Sequence, residues 1–257
     1  MRRLIVHADD LGLTDGVVTG IYRACTSGIV TGSSAMVCVP RAEARIAAVA
    51  ATLGGRIGLH LQLTGGRPCL PPRQVASLVD AHGCFASRRA GVGIPDPAEL
   101  AAEWRAQAGR LRGLGLTPSH LDTHHDLHQR PEIFAVYVDL ARELGIPARP
   151  WDRRSVAALR AADVRCADCY LADWRVDGAV PGVAAFLERL AAAFAAAGPD
   201  AVIELACHPG LVDAELSAVS RYAAPRAAEL ALLTHPGLAA RLAALGIRLC
   251  TSAQGAR

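Results

Sequence analysis

The sequence predicts an α/β fold of the (β/α)-barrel type, related to the TIM barrel and built from mostly parallel strands. Three observations carry that prediction. Short apolar runs alternate with stretches of helical periodicity along all 257 residues. About seven such runs occur with no obvious linker between them, which suits a barrel better than an open doubly wound sheet. Ionisable residues gather where several of those runs end, and the carboxyl ends of the strands are where a barrel keeps its catalytic loops. The chain therefore reads as one domain, residues 1–257, with a long Pro- and Gly-rich loop at about 65–97. Such a loop is too long for an ordinary connection and reads as a functional lid or a mobile insertion.

The first run, Leu4-Ile5-Val6-His7-Ala8, is a buried strand that delivers Asp9 and Asp10 at its carboxyl end. Residues 16–27 have helical apolar spacing and stop at Gly28. A second strand over 29–39 closes at Pro40, and an alanine-rich helix follows at 42–53. The strand at 56–63 carries His60 near its end. Helical spacing at 97–114 is broken by Gly113 and Gly115, and a strand at 119–123 then runs into the densest polar cluster of the chain, His120 to His128. Helices follow at 131–144 and 184–197, and a strand at 201–206 ends at Cys207-His208-Pro209-Gly210. Helices at 226–233 and 238–245 precede a last strand at 248–251.

Composition narrows the function classes. The 27 basic and 24 acidic residues leave a formal charge of +3, and they are scattered rather than blocked. That pattern leaves no electrostatic footprint for nucleic acid or an anionic membrane, so a small-molecule partner is expected. No window approaches about 18 uninterrupted apolar residues, and the N-terminus meets polar residues before a signal-peptide core forms, which predicts a cytoplasmic protein. The eight cysteines are dispersed, which suits reduced thiols. Cys166-Ala-Asp-Cys169 is a single CxxC with no second pair, and reads as structural or incidental. No GxGxxG follows the first strand, and neither GxxxxGK[ST] nor GxSxG occurs, so nucleotide binding and serine-hydrolase chemistry have no support.

Four strand ends carry the chemistry: Asp9-Asp10, Gly58-Leu59-His60, His120 to His128, and Glu204 with His208. A lone histidine at a strand end is more often structural than a ligand, but desolvating this many polar groups without a role would be costly. The plain reading of Asp9-Asp10 is a helix N-cap with a solvated neighbour, which accounts for one of the two. Side chains alternate along an extended segment, so adjacent carboxylates can divide the work, one on a cation and one taking a proton from water. Two histidines with one carboxylate leave coordination positions open, as catalytic metal sites require. His208 precedes a Pro-Gly turn signal, and its imidazole also suits protonation of a leaving amine.

Taken together, Ala8-Asp9-Asp10-Leu11-Gly12, Gly58-Leu59-His60-Leu61, His120-Leu121-Asp122-Thr123-His124-His125 with His128, and Cys207-His208-Pro209-Gly210 resemble the YdjC-like carbohydrate deacetylases over nearly the whole chain. The resemblance implies a barrel-like fold, a divalent cation such as Mg²⁺ or Zn²⁺, and hydrolysis of the acetamide of an N-acetylated sugar, with homodimers common. Carried onto this sequence, it implies Asp10, His60 and His124 as metal ligands, Asp9 as general base, and His208 as a proton donor or substrate contact. His7 stands where many members have asparagine, and Asp126 lies in a cluster usually richer in histidine, so substrate choice stays open. Three other functions are compatible with the residues: a two-histidine, one-carboxylate Fe(II) oxygenase, a metal phosphoesterase, and a sugar-binding protein that has lost catalysis.

Overall fold

The computed structural model describes residues 1–257 and is the expected barrel-like α/β fold, in which every pairing between named strands is parallel. The elements run β1 (Arg2–Leu11), α1 (Asp15–Ser27), β2 (Gly32–Ala35), α2 (Ala42–Leu53), β3 (Ile57–Leu61), α3 (Pro97–Gly113), β4 (Leu121–Thr123) and α4 (Pro131–Leu144). They continue with α5 (Arg153–Ala161), β5 (Cys169–Leu171), α6 (Val183–Ala197), β6 (Val202–Cys207), α7 (Ala214–Val219), α8 (Ala224–Leu233), α9 (Leu238–Ala244), β7 (Ile247–Leu249) and α10 (Ser252–Gly255). No helix is long and apolar enough to cross a membrane.

The strand order is β4-β3-β2-β1-β6-β5, with β7 joined to β1. β1 is the axis of the sheet because it is long enough to serve three neighbours. Arg2–Leu4 pair with β7, residues from His7 onward pair with β2, and Arg3–Ala8 pair with β6 on the opposite edge. Between β4 and β5 the ladder continues through single bonds: Leu121 N donates to Pro147 O, and Ala148 N donates to Arg165 O. These bonds bring Arg149 beside β4, where its N–H is also held by Leu121 O.

Alternation along the strands gives the sheet two unlike faces. Leu4, Val6 and Ala8 of β1, Leu59 and Leu61 of β3, and Ile203 and Leu205 of β6 belong to one apolar cluster with the helices. The alternate residues turn inward. Ile5, Val202, Ala167 and Cys250 form a small apolar plug, and above it the inner residues are polar.

Four elements depart from the expected pattern. α5, β5, α7 and α10 occupy segments for which the sequence predicts no element. β5 has three residues, too few to display a period of two, and α7 and α10 are single short turns. The 65–97 segment holds three 3₁₀ turns, Pro72–Gln74, Ala76–Leu78 and Arg89–Gly91, and is anchored by buried Val75, Leu78 and Phe85.

Candidate metal centre and its surroundings

β1 runs straight into the site and ends it with a strained turn. Asp10 adopts φ 70°, a left-handed conformation that costs a non-glycine residue energy and recurs where a side chain must be aimed. Asp9 and Asp10 consequently face different partners. Asp10 Oδ1 lies 3.4 Å from His60 Nε2 and 3.1 Å from His124 Nδ1, while Oδ2 accepts from Arg226 Nη2 at 2.5 Å. Asp9 is gripped through both oxygens by Arg149, at 2.7 and 2.9 Å.

His60 reaches Asp10 because register places it opposite Asp122, whose Oδ1 takes a hydrogen bond from His60 Nδ1 at 2.8 Å. Ser34 Oγ donates to the other oxygen of Asp122 at 2.8 Å. This arrangement fixes the ring so that Nε2 faces Asp10, the carboxylate–histidine support typical of metal ligands. His124 and His125 open the turn after β4, with His125 and Asp126 at φ 60° and 51° and the rings of His124 and His125 stacked at 3.8 Å. Gly58 makes room below: a Cβ there would sit 2.3 Å from His120 Nε2, so no larger residue fits beside that ring.

The donor set passes a direct test for a cation. Asp10 Oδ1 is buried and accepts no hydrogen bond, although two imidazole nitrogens lie close to it. The ligand atoms that Asp10, His60 and His124 offer all lie within 4.8 Å of one another. Two imidazoles and a carboxylate are the donors a catalytic divalent ion takes, with positions left for water or substrate.

Electrostatics sets the charge states. Burial alone would raise the Asp9 carboxyl, but the Arg149 guanidinium outweighs it and the net direction is down. Burial also opposes ionisation of Asp10, against Arg226, His124 and His60, which together hold it well below the usual carboxylate range. Asp122 follows the same logic, with Arg149 and His60 overcoming burial. Burial would neutralise His60, and Asp122 reverses this, holding the imidazole well above its ordinary value.

His208 stands at the mouth, its Nε2 3.9 Å from Asp9 Oδ2 and its ring edge-on to Tyr222. Its backbone N–H donates to Glu229. The structure thus brings all five residues singled out in the sequence, Asp9, Asp10, His60, His124 and His208, into one constellation at the carboxyl ends of the strands. His128 is set apart: it is buried, bonded to Thr123 Oγ1 at 2.7 Å and packed on Tyr137 and Trp151. His120 and His7 lie deeper in the barrel, with their Nε2 atoms 3.4 Å apart.

Residues 3–244 match the family model described as YdjC-like protein. The chain belongs to that family. Over 252 residues it is 35% identical to a carbohydrate deacetylase of Geobacillus stearothermophilus, covering 97% of this chain and 96% of that protein. A chitooligosaccharide deacetylase of Serratia marcescens is 34% identical over 253 residues, covering 96% and 97%. Among solved structures, an Enterococcus faecalis protein to which cleavage of cellobiose phosphate has been ascribed superposes with TM-score 0.88 at 29% identity, covering 100% of this chain and 99% of that one. A lactam utilization protein of Thermus thermophilus, at TM-score 0.56 and 16% identity, shares the fold alone.

Sequence reasoning overlooked two residues of this YdjC-like site, Arg149 and Arg226. Arg149 is 1% exposed and also contacts Asp122 at 2.9 Å and Glu204 at 2.6 Å. Three carboxylates at strand ends demand a buried cation, and Arg149 between Ala148 and Pro150 in an otherwise apolar approach was the available signal. Arg226 opens α8 and reaches Asp10 from a helix distant in sequence, for which no local pattern exists.

Proposed function

We propose that the chain hydrolyses the acetamide of an N-acetylated amino sugar, releasing acetate and a free amine, with Asp10, His60 and His124 holding a divalent cation. The observation that carries this reading is the meeting of His60 Nε2 and His124 Nδ1 at one buried oxygen of Asp10. Full-length relatives that are carbohydrate deacetylases support the reaction class and the acetylated-sugar substrate. The imidazole pair suits Zn²⁺, and Mg²⁺ is the harder alternative.

A divalent ion at these donors supplies Lewis acidity, polarising a carbonyl and lowering the pKa of water from 15.7 towards about 7. The remaining work falls to the chain's own side chains. Arg149 keeps Asp9 ionised and fixed in orientation, so the carboxylate stands ready to accept the proton of the attacking water. Asp122, itself held by Ser34, fixes the His60 ring so that Nε2 faces Asp10, where a bound cation would take the place of the Nε2 proton. An amide nitrogen does not leave as an anion, so His208, across from Asp9 at the open mouth, protonates the amine as the C–N bond breaks.

The test is acetate release from N-acetylglucosamine oligomers by metal-stripped protein, with Mg²⁺, Zn²⁺, Mn²⁺ or Fe²⁺ restored one at a time and His124→Ala as control. Release that depends on an added cation and is lost in the variant is the expected result. Cation binding without release under any of these conditions overturns the deacetylase reading.

A further inference from the structure

Just past the carboxyl end of β2, Cys38 meets Cys69 of the 65–97 loop, with their sulfurs 3.8 Å apart. All eight cysteines are free thiols, and this is the one thiol–thiol hydrogen bond among them. We propose that Cys38 and Cys69 are a redox pair which a hydroperoxide converts to a reversible disulfide, stitching the base of the loop to the sheet.

The pair is asymmetric in the way a nucleophilic and a resolving thiol must be. Cys38 is buried, and burial pushes its thiol well up. Cys69 is partly exposed, and the hydrogen bond from Cys38 draws its thiol down against burial and the Glu103 charge, with Arg110 Nη1 3.9 Å away adding to the downward effect. Cys69 is therefore the sulfur with thiolate character and access, the combination that governs reactivity.

The backbone is already docked for closure. Arg67 N donates to Cys38 O at 3.0 Å, and Gly66, at φ +82°, lies so close that a Cβ would be 2.1 Å from that oxygen. Loop and strand thus meet at the two cysteines before any bond forms.

Glu103 is the third group of the cluster and makes a metal site the weaker reading. Its Oε1 accepts from Cys69 N and Gln107 Nε2, and its Oε2 from Leu70 N, all within 3.0 Å. Even with Glu103 as a ligand, a cation would have three protein groups, short of the four that structural zinc takes.

The chemistry balances. Cys69 thiolate attacks one peroxide oxygen, the O–O bond breaks, and the departing hydroxide is protonated to water. Cys38 sulfur then attacks the Cys69 sulfenic acid and loses its proton, and the second oxygen leaves as water. The sulfurs give up two electrons to the peroxide, and a dithiol reductant restores both thiols.

Reduced full-length protein is titrated with hydrogen peroxide, alkylated, digested and mapped by mass. The expected first product is a peptide linking Cys38 to Cys69, reversed by dithiothreitol. In Cys38→Ser the reaction stops at a Cys69 sulfenic acid trapped by dimedone. Arg110→Gln slows linkage, by about threefold for each unit the Cys69 thiol rises, because a more basic thiolate is scarcer but more nucleophilic. Oxidation that falls first on Cys84 or Cys169 without a Cys38–Cys69 link overturns the proposal, as does one equivalent of zinc lost on Cys69→Ser. Mapping of the wild-type protein decides the matter even if a variant fails to fold.

Discussion

On the outer face of β1, Leu4, Val6 and Ala8 pack into the apolar layer beneath the helices, whereas on the inner face Ile5 gives way to His7 and then Asp9. One strand thus serves two interiors of opposite chemistry. The outer layer is stabilised by area removed from water, roughly 25 cal/mol for each Å² of apolar surface. The inner column buries His7, Asp9, His60, Asp122, Arg149 and Glu204, groups that cost free energy to desolvate and that, His7 Nδ1 apart, pair with one another or with neighbouring polar groups. The outer layer therefore accounts for why the chain folds, and the inner column for what the folded chain can hold.

The sharpest way to break that contrast is to remove the inner cation. Arg149 is bound to Asp9, Asp122 and Glu204, so Arg149→Met strands three buried carboxylates, and a cost of about 3–5 kcal/mol is expected in urea unfolding. Leu190→Ala, in α6 and wholly buried in the outer layer, should cost about 2–5 kcal/mol by transfer and cavity terms. The two variants differ in their second readout. Cation affinity and acetate release per folded molecule should survive Leu190→Ala and collapse in Arg149→Met. Equal loss in both would mean that the two interiors are not functionally separate.

Asp122→Asn makes a finer cut, because it keeps the shape of the inner column and removes one charge. Its Oδ1 accepts from His60 Nδ1, so the variant loosens a proposed ligand without touching the donor atoms themselves. A fall of about 10–100-fold in cation affinity, read by calorimetric titration, is expected. An unchanged affinity would remove Asp122 from the support of His60 and reduce the inner column to a structural role.

The two interiors were not equally legible in the sequence. Period-two alternation and helical spacing report burial on one face, so the outer layer and most of its strands and helices were readable, including β1, α3, α4 and β6. α5 was missed despite a readable start, since Asp152 and Ser155 form a capping box, because only Ser155, Val156 and Leu159 of the helix are buried. At the site, the five residues at strand ends announced themselves by clustering after apolar runs. Arg149 and Arg226 did not, because their partners lie 140 and 216 positions away and only the closed sheet brings them together. Residues whose purpose is to balance a charge elsewhere in the fold leave no local pattern.

His128 supplies the smallest and most selective test, since it is a titratable group placed among apolar neighbours. It packs on Tyr137 and Trp151, and burial, aided by the Arg149 charge, pushes its imidazole down to about 3 from an ordinary value of 6.5. The folded protein therefore keeps His128 neutral while the unfolded chain takes up a proton below pH 6.5. The stability it contributes is complete above pH 6.5 and is lost as pH falls towards 3, at up to about 1.4 kcal/mol per pH unit. His125, pushed down to about 4, loses stability in the same direction, so the informative quantity is the difference between variants. Between pH 6 and 4 the unfolding free energy of His128→Gln should fall less steeply than that of the unsubstituted protein, by about 1 kcal/mol per unit. Leu190→Ala should run parallel to the unsubstituted protein across the same window, because nothing it removes binds a proton. Parallel curves for all three would mean that His128 is protonated inside the fold, and that the outer layer tolerates charge as readily as the inner column does.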